Sequence, residues 1–105
     1  MTRASEQIAR EFAEKVRAKV PGQTQEIYLY GSRARGDEEP DSDYDVLIVV
    51  EQRTPELEDQ VIEAAVEVLN DHDAFVSPMI ATSEKFDYFK EVGLYREILK
   101  EGIRW

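Results

Sequence analysis

Two stretches of the chain place apolar side chains at helical spacing. In the first, an apolar residue stands at every fourth position between charged ones: Ala4, Ile8, Phe12, Val16 and Val20. This spacing predicts an amphipathic helix over residues 4–20 that ends at Pro21. The second stretch begins with Thr54 and Pro55, which are a favourable N-cap and first-turn pair. Its apolar stripe predicts a helix to about residue 70.

Three other stretches have the composition of β-strands. Residues 26–30 are rich in aromatic and β-branched side chains and stop at a glycine. Residues 44–50 end in an unbroken apolar run, which predicts a central strand that is buried on both faces. Residues 74–80 form the third strand, and Pro78 favours a position near the sheet edge because proline donates no backbone hydrogen bond.

Helices and strands therefore alternate along the chain, and residues 86–89 and 94–99 predict two short helices after the third strand. This order predicts an α/β (α+β) fold with one small mixed sheet flanked by helices. We expect residues 1–105 to form a single domain, because this length suits one compact core.

Composition narrows the possible functions. The formal net charge of −10 opposes general nucleic-acid binding, which needs an excess of Lys and Arg. The acidity predicts either a well-solvated surface or attraction to a basic partner. Without cysteine the chain has no thiol chemistry. No signal peptide or apolar run of about 20 residues is present, so we expect no membrane association and a cytoplasmic protein.

The most informative chemistry is a pair of acids at the start of the central strand. Asp43 and Asp45 are two residues apart, so both side chains point to the same face, with Cα atoms roughly 6.5–7 Å apart. Two carboxylates this close repel each other unless a cation lies between them. Mg²⁺ takes one or two carboxylates together with phosphate oxygens, so we expect this pair to bind Mg²⁺.

A phosphate-binding turn is predicted at the end of the first strand. Gly31 has no side chain to obstruct a phosphate, and Ser32 adds a hydroxyl donor. Arg33 and Arg35 flank this turn, and guanidinium groups match phosphate oxygens in shape and charge. Taken alone, a Gly-Ser turn or an Asp-x-Asp pair is more often structural than functional. Their combination at the tips of two strands predicts a metal and nucleotide site.

Together, Gly31-Ser32, ten intervening residues and Asp43-x-Asp45 resemble the signature of the polymerase beta-like nucleotidyltransferase superfamily. The small size and the Gly-Ser-x-Ala-Arg-Gly form resemble its minimal nucleotidyltransferase branch, the antitoxin-type partner of HEPN proteins. The resemblance implies that Asp43 and Asp45 are catalytic and hold Mg²⁺, while Gly31, Ser32, Arg33 and Arg35 bind ATP. It also implies transfer of AMP to a tyrosine of a HEPN toxin. The sequence leaves open whether the protein forms a homo- or hetero-oligomer.

The sequence departs from that family in one respect. Active members generally carry a third carboxylate on the next core strand, and residues 74–81 contain no acid. Asp73 is the nearest candidate, although Asp71 and Asp73 are equally well explained as turn residues. Two alternatives therefore stay open: a non-catalytic, nucleotide-binding antitoxin that acts by direct binding, and a small-molecule adenylyltransferase of the aminoglycoside type.

The C-terminal segment is unusually apolar for the end of a chain. Its large side chains either complete the core or leave part of the set exposed as a partner-binding patch. The second interpretation predicts that residues 103–105, ending in Trp105, contribute more to partner binding than to stability.

Overall fold

The computed structural model describes residues 3–105, which form five helices and four strands. The helices are α1 (Arg3–Lys19), α2 (Ser32–Arg35), α3 (Pro55–His72), α4 (Ser83–Phe89) and α5 (Gly93–Glu101). The strands are β1 (Thr24–Tyr30), β2 (Tyr44–Val50), β3 (Val76–Thr82) and β4 (Ile103–Arg104). The predicted helices and the three predicted strands are all present.

The strands form one mixed sheet in the order β3-β2-β1-β4. β1 pairs antiparallel with β2 and with β4, while β2 and β3 are parallel and connected through α3. The predicted fold class and the central position of β2 are confirmed. β3 lies at the edge, as Pro78 indicated. Arg53 Nη1 donates to the backbone oxygen of Ile80 in β3 at 3.0 Å, which satisfies one backbone acceptor of this edge strand.

The first face of the sheet is covered by α1 and α3. Phe12 from α1 and Val61 from α3 pack against Leu29 and Ile48, and all four are almost fully buried. The two helices are also connected at their surface, where Lys15 and Lys19 form ion pairs with Glu67. This face therefore contains the larger part of the hydrophobic core.

The second face is covered by the shorter helices α4 and α5. Phe86 and Ile98 are buried there against Tyr28, Leu47 and neighbouring apolar side chains of the sheet. Side chains alternate between the faces along each strand, so Asp45 lies on this second face with Leu47. The helices that cover it leave large apolar side chains exposed: Tyr88, Phe89, Val92, Leu94 and Leu99.

Strand β4 was not predicted, and it gives the C-terminus a structural role. Ile103 pairs with Leu29, and the Trp105 backbone N–H donates to the Ile27 oxygen at 2.8 Å. The Trp105 ring packs against the core of the first face, with the Arg10 guanidinium 4.9 Å from its centroid. Residues 103–105 therefore extend the sheet and cover core, and within the C-terminal segment the exposed apolar side chains belong to residues 88–99 instead.

Within residues 3–105, none of the helices combines the length and the apolar character that crossing a bilayer requires.

Candidate active site

Asp43 and Asp45 lie where β2 begins, on the face that α4 and α5 cover. Asp45 is half-buried and pairs across the sheet with Tyr30, the last residue of β1. Asp43 precedes the strand and is exposed. As predicted from their spacing, the two carboxylates point to one side of the sheet.

Gly31 brings the end of β1 against the Asp45 side chain. Its backbone is in a left-handed region (φ 77°, ψ −158°) that is essentially restricted to glycine. A Cβ atom at this position would overlap Asp45 Oδ2. The missing side chain thus allows the turn that begins α2 to lie directly beside the carboxylate. The Gly-Ser turn and the acid pair therefore lie close together in the structure, as their positions at the strand ends predicted.

Arg33 fixes the loop that leads from α2 to the acid pair. Its Nη2 donates to the Ser42 oxygen at 2.8 Å and to the Pro40 oxygen at 3.3 Å, and its Nη1 donates to Ser5 Oγ at 2.9 Å. The guanidinium also lies 4.3 Å from the centroid of the Tyr44 ring, and the residue is buried. These contacts place Arg33 toward the first face and anchor the residue next to Asp43. The expected contact of Arg33 with phosphate stays a prediction that this geometry does not favour.

Arg35 is the exposed cation of the site. Its Nε donates to Asp37 Oδ2 at 3.3 Å, and its Nη1 lies 3.5 Å from Glu101 Oε2 on α5. It also acts on the acid pair electrostatically, because its charge partly opposes the rise in the pKa of Asp45 that burial and Asp43 cause. Arg35 is therefore held near the carboxylates by two exposed acids, and its exposure leaves it accessible to a ligand.

The acid pair is electrostatically strained without a cation. Burial raises the pKa of Asp45, and the Asp43 charge raises it further, against the opposing effect of Arg35. Burial and the Asp45 charge also raise the pKa of Tyr30. Excess negative charge in a partly desolvated position is the condition that a bound divalent cation relieves. The donor set therefore fits Mg²⁺.

Ser77 is the residue of β3 that lies beside the acid pair. It pairs with Asp45 in the parallel register, and its Oγ donates to Asp43 Oδ2 at 3.1 Å. Sequence reasoning missed Ser77, because only the β2–β3 register places it beside the acids. Asp73 lies elsewhere: it ends α3 in a left-handed conformation (φ 53°) and lines a cleft with Arg33. Asp73 is therefore a helix cap and does not join the acid pair.

The described part of the chain, residues 3–105, contains no group of three or more His, Cys, Asp or Glu side chains arranged to hold a metal ion. Two carboxylates are nevertheless sufficient for Mg²⁺ when a nucleotide supplies the remaining oxygens.

Comparison with known proteins identifies the class to which this fold and site belong. The family model of the nucleotidyltransferase domain matches residues 9–104. The chain is 30% identical over 97 residues to a protein of Methanocaldococcus jannaschii named "Putative protein adenylyltransferase MJ0604", covering 92% of this chain and 93% of that protein. The chain therefore belongs to the nucleotidyltransferase domain family, and it is a nucleotidyltransferase.

Solved structures show the same fold at lower sequence identity. A chain of a toxin–antitoxin crystal structure with AMP-PNP matches with a TM-score of 0.65 at 19% identity, over 92% of this chain and 72% of that one. A chain from the complex of tri-AMPylated Shewanella oneidensis HEPN toxin with MNT antitoxin matches with a TM-score of 0.57 at 14% identity. That match covers 96% of this chain and 71% of the other. The predicted polymerase beta-like nucleotidyltransferase fold is confirmed.

Proposed function

We propose that the protein is a Mg²⁺-dependent adenylyltransferase that transfers AMP from ATP to a tyrosine of a HEPN-type toxin, acting as the antitoxin. The observation that carries this proposal is the contact between the Gly31 turn and Asp45, with Asp43 on the same face. A turn suited to phosphate and an acid pair suited to a divalent cation thereby form one site.

Each residue of the site has a proposed role. Asp43 and Asp45 would hold Mg²⁺, which when bound neutralises phosphate charge and stabilises the charge that develops in transfer. Gly31 and Ser32 would receive the outer phosphates at the end of β1, and Arg35 would contribute a positive charge. Arg33 supports the site indirectly by anchoring the loop that carries Asp43.

The acceptor is proposed from the comparisons. The relative from Methanocaldococcus jannaschii carries a protein adenylyltransferase name, and the matching structures include an AMPylated HEPN toxin bound to an MNT antitoxin. Both support a polypeptide acceptor and, with ATP as donor, a cytoplasmic reaction. The acid pair without a third carboxylate favours one alternative, an antitoxin that binds nucleotide and toxin without transfer.

The test is co-expression with a candidate HEPN toxin, followed by intact-mass measurement of that HEPN protein. We expect the mass to rise by whole AMP units. The double variant Asp43→Asn with Asp45→Asn should still bind the HEPN protein but leave its mass unchanged. Neutralisation of the toxin without any added mass would support the non-catalytic alternative. AMP added to kanamycin and never to protein would support the small-molecule alternative.

A further inference from the structure

We propose that an apolar groove between β3 and the α4–α5 pair is the acceptor subsite, which receives the aromatic ring of the tyrosine to be adenylylated. This inference rests on the proposed function, since it assigns the place of its second substrate. We call this site the acceptor groove, and define it by its lining residues: Met79, Lys85, Phe89, Val92, Gly93, Leu94 and Tyr95.

The acceptor groove has the size and lining of a ligand site. Its volume is about 380 Å³, within the range of small-molecule pockets. Lys85 is its one charged lining residue. Phe89 and Leu94 keep 41% and 50% of their surface exposed, so apolar surface is available without any rearrangement. An aromatic side chain that enters the groove would bury this surface together with its own.

The acceptor groove lies on the same face of the sheet as the acid pair, and β3 leads from one to the other. Met79 points to the same face of the sheet as Ser77, two residues earlier, and Ser77 donates its hydroxyl hydrogen bond to Asp43. In the register of the sheet, Ser77 lies beside Asp45 and Met79 beside Leu47. The groove therefore starts one strand repeat, roughly 6.5 Å along β3, from Ser77, which contacts Asp43.

The geometry of the reaction places the acceptor on this side. The tyrosine oxygen forms a bond to the α-phosphorus while the bond from that phosphorus to pyrophosphate breaks, and the phenolic proton is released to water. Attacking and leaving oxygens lie in line on opposite sides of the phosphorus. Pyrophosphate leaves toward Gly31 and Ser32 at the end of β1, and the acids stand on β2. The acceptor must then approach from the opposite side, where β3 lies.

The lining also discriminates between acceptors. A phenol has a flat apolar body and a polar tip, which suits aromatic and thioether walls that open toward a charged site. An aminoglycoside carries several positive charges, and Lys85 in the groove repels them. The groove chemistry therefore favours a tyrosine side chain with apolar neighbours.

A second apolar groove provides a matched control. It has a volume of about 220 Å³ and lies between α3 and β3, with Ile62, Val66 and Phe75 among its lining residues. Ile62 and Val66 are 55% and 47% exposed, close to the exposure of the acceptor-groove residues. Since α3 covers the opposite face of the sheet and neither Ile62 nor Val66 lines the acceptor groove, alanine substitutions there remove exposed apolar surface outside that groove.

The test uses N-acetyl-tyrosinamide as the acceptor probe and Mg²⁺ with AMP-PNP to occupy the nucleotide site. In NMR titrations of the wild-type protein, we expect the probe to shift backbone amides of the acceptor groove. The variant Phe89→Ala with Leu94→Ala should weaken probe binding by about tenfold, because it removes two apolar contact surfaces. The control variant Ile62→Ala with Val66→Ala should bind the probe as the wild type does.

The outcomes separate this inference from the proposed function. AMP-PNP affinity should be equal in the wild type and both variants, and equal melting temperatures would exclude unfolding. Probe shifts outside the groove, or equal weakening in both variants, would overturn the inference. A fall in AMP-PNP affinity in the Phe89 and Leu94 variant would overturn it as well, because the groove would then hold the nucleoside. Failure of the wild type to bind AMP-PNP with Mg²⁺ would overturn the proposed function itself.

Discussion

The two faces of the sheet differ in what their side chains do. Under α1 and α3, Phe12, Leu29 and Ile48 belong to a continuous apolar cluster that is shielded from water. Under α4 and α5 the buried cluster is smaller, and the same face carries the acid pair and the acceptor groove. The first face therefore provides most of the hydrophobic stabilisation, and the second combines a small core with a half-buried carboxylate that opposes folding.

The largest expected effect separates chemistry from stability on the second face. Asp43→Asn with Asp45→Asn should reduce AMP transfer by roughly a thousandfold or more, because metal assistance contributes several kcal/mol. The melting temperature without Mg²⁺ should stay equal or rise, since the raised pKa of Asp45 indicates that its charge is unfavourable in the fold. Transfer assays and thermal denaturation measure the two effects. Unfolding of this variant would contradict the division between the faces.

The second prediction applies the converse test to the first face. Phe12→Ala should lower the free energy of unfolding by about 3–5 kcal/mol, because it leaves a cavity in the larger cluster. Transfer per folded molecule should be unchanged. Phe86→Ala on the second face should lower both quantities, since Phe86 packs 5.3 Å from Tyr95 of the acceptor groove, measured between ring centroids. Urea denaturation and kcat/KM provide the comparison, and equal loss of kcat/KM in both variants would contradict it.

A third prediction concerns the contact between the two halves of the site. Gly31→Ala should abolish Mg²⁺-dependent ATP binding in calorimetry, because the new Cβ displaces the Asp45 carboxylate. Gly22→Ala is the control: its φ of 76° is also positive, but nothing lies within 4 Å of the added Cβ. Both variants should lose about 1–3 kcal/mol of stability, and only Gly31→Ala should lose nucleotide. Unchanged ATP affinity in Gly31→Ala would show that the Gly31 turn is not part of the nucleotide site.

The sequence was sufficient to predict the features that depend on local pattern. The four-residue repeat of α1, the apolar run of β2 and the spacing of Asp43 and Asp45 are periodic signals that survive in the fold. The edge position of β3 followed from one residue, Pro78. These elements were enough to predict the fold class and to place the candidate acids.

The features that the sequence did not predict depend on pairing between distant segments. Ser77 is beside Asp43 only because β2 and β3 pair in one register. Arg33 binds the carbonyls of Pro40 and Ser42, which only the folded loop brings to it, and its contact with phosphate stays a prediction. Two-residue β4 has no periodicity, and it exists because β1 offers a free edge. This strand also holds the Trp105 ring on the core, and the contribution of residues 103–105 to partner binding stays a prediction.

A fourth prediction sharpens the role of β3 in the acid pair. Ser77→Asp should place a third carboxylate beside Asp43 and Asp45, which increases repulsion without metal and favours cation binding. We expect a lower melting temperature in EDTA and a larger rise on addition of Mg²⁺ than for the wild type. Ser77→Asn is the control, because it has nearly the same shape without the charge. Identical responses of the two variants to Mg²⁺ would show that residue 77 does not lie at the metal site.

The smallest expected effect lies on the surface of the first face, where Glu67 pairs with Lys15 and Lys19. These lysines hold the pKa of Glu67 below its ordinary value. A lowered folded pKa stabilises the protein above the ordinary glutamate pKa, and this contribution is lost as the pH falls through the folded pKa. Glu67→Gln should therefore lower the melting temperature slightly at pH 7, and this deficit should diminish at a pH well below the ordinary glutamate pKa. Glu14→Gln, an exposed substitution with the same change in net charge, should leave the melting temperature unchanged at both values. A deficit of Glu67→Gln that persists at low pH would show that its packing on α3 stabilises the first face, and that its charge does not.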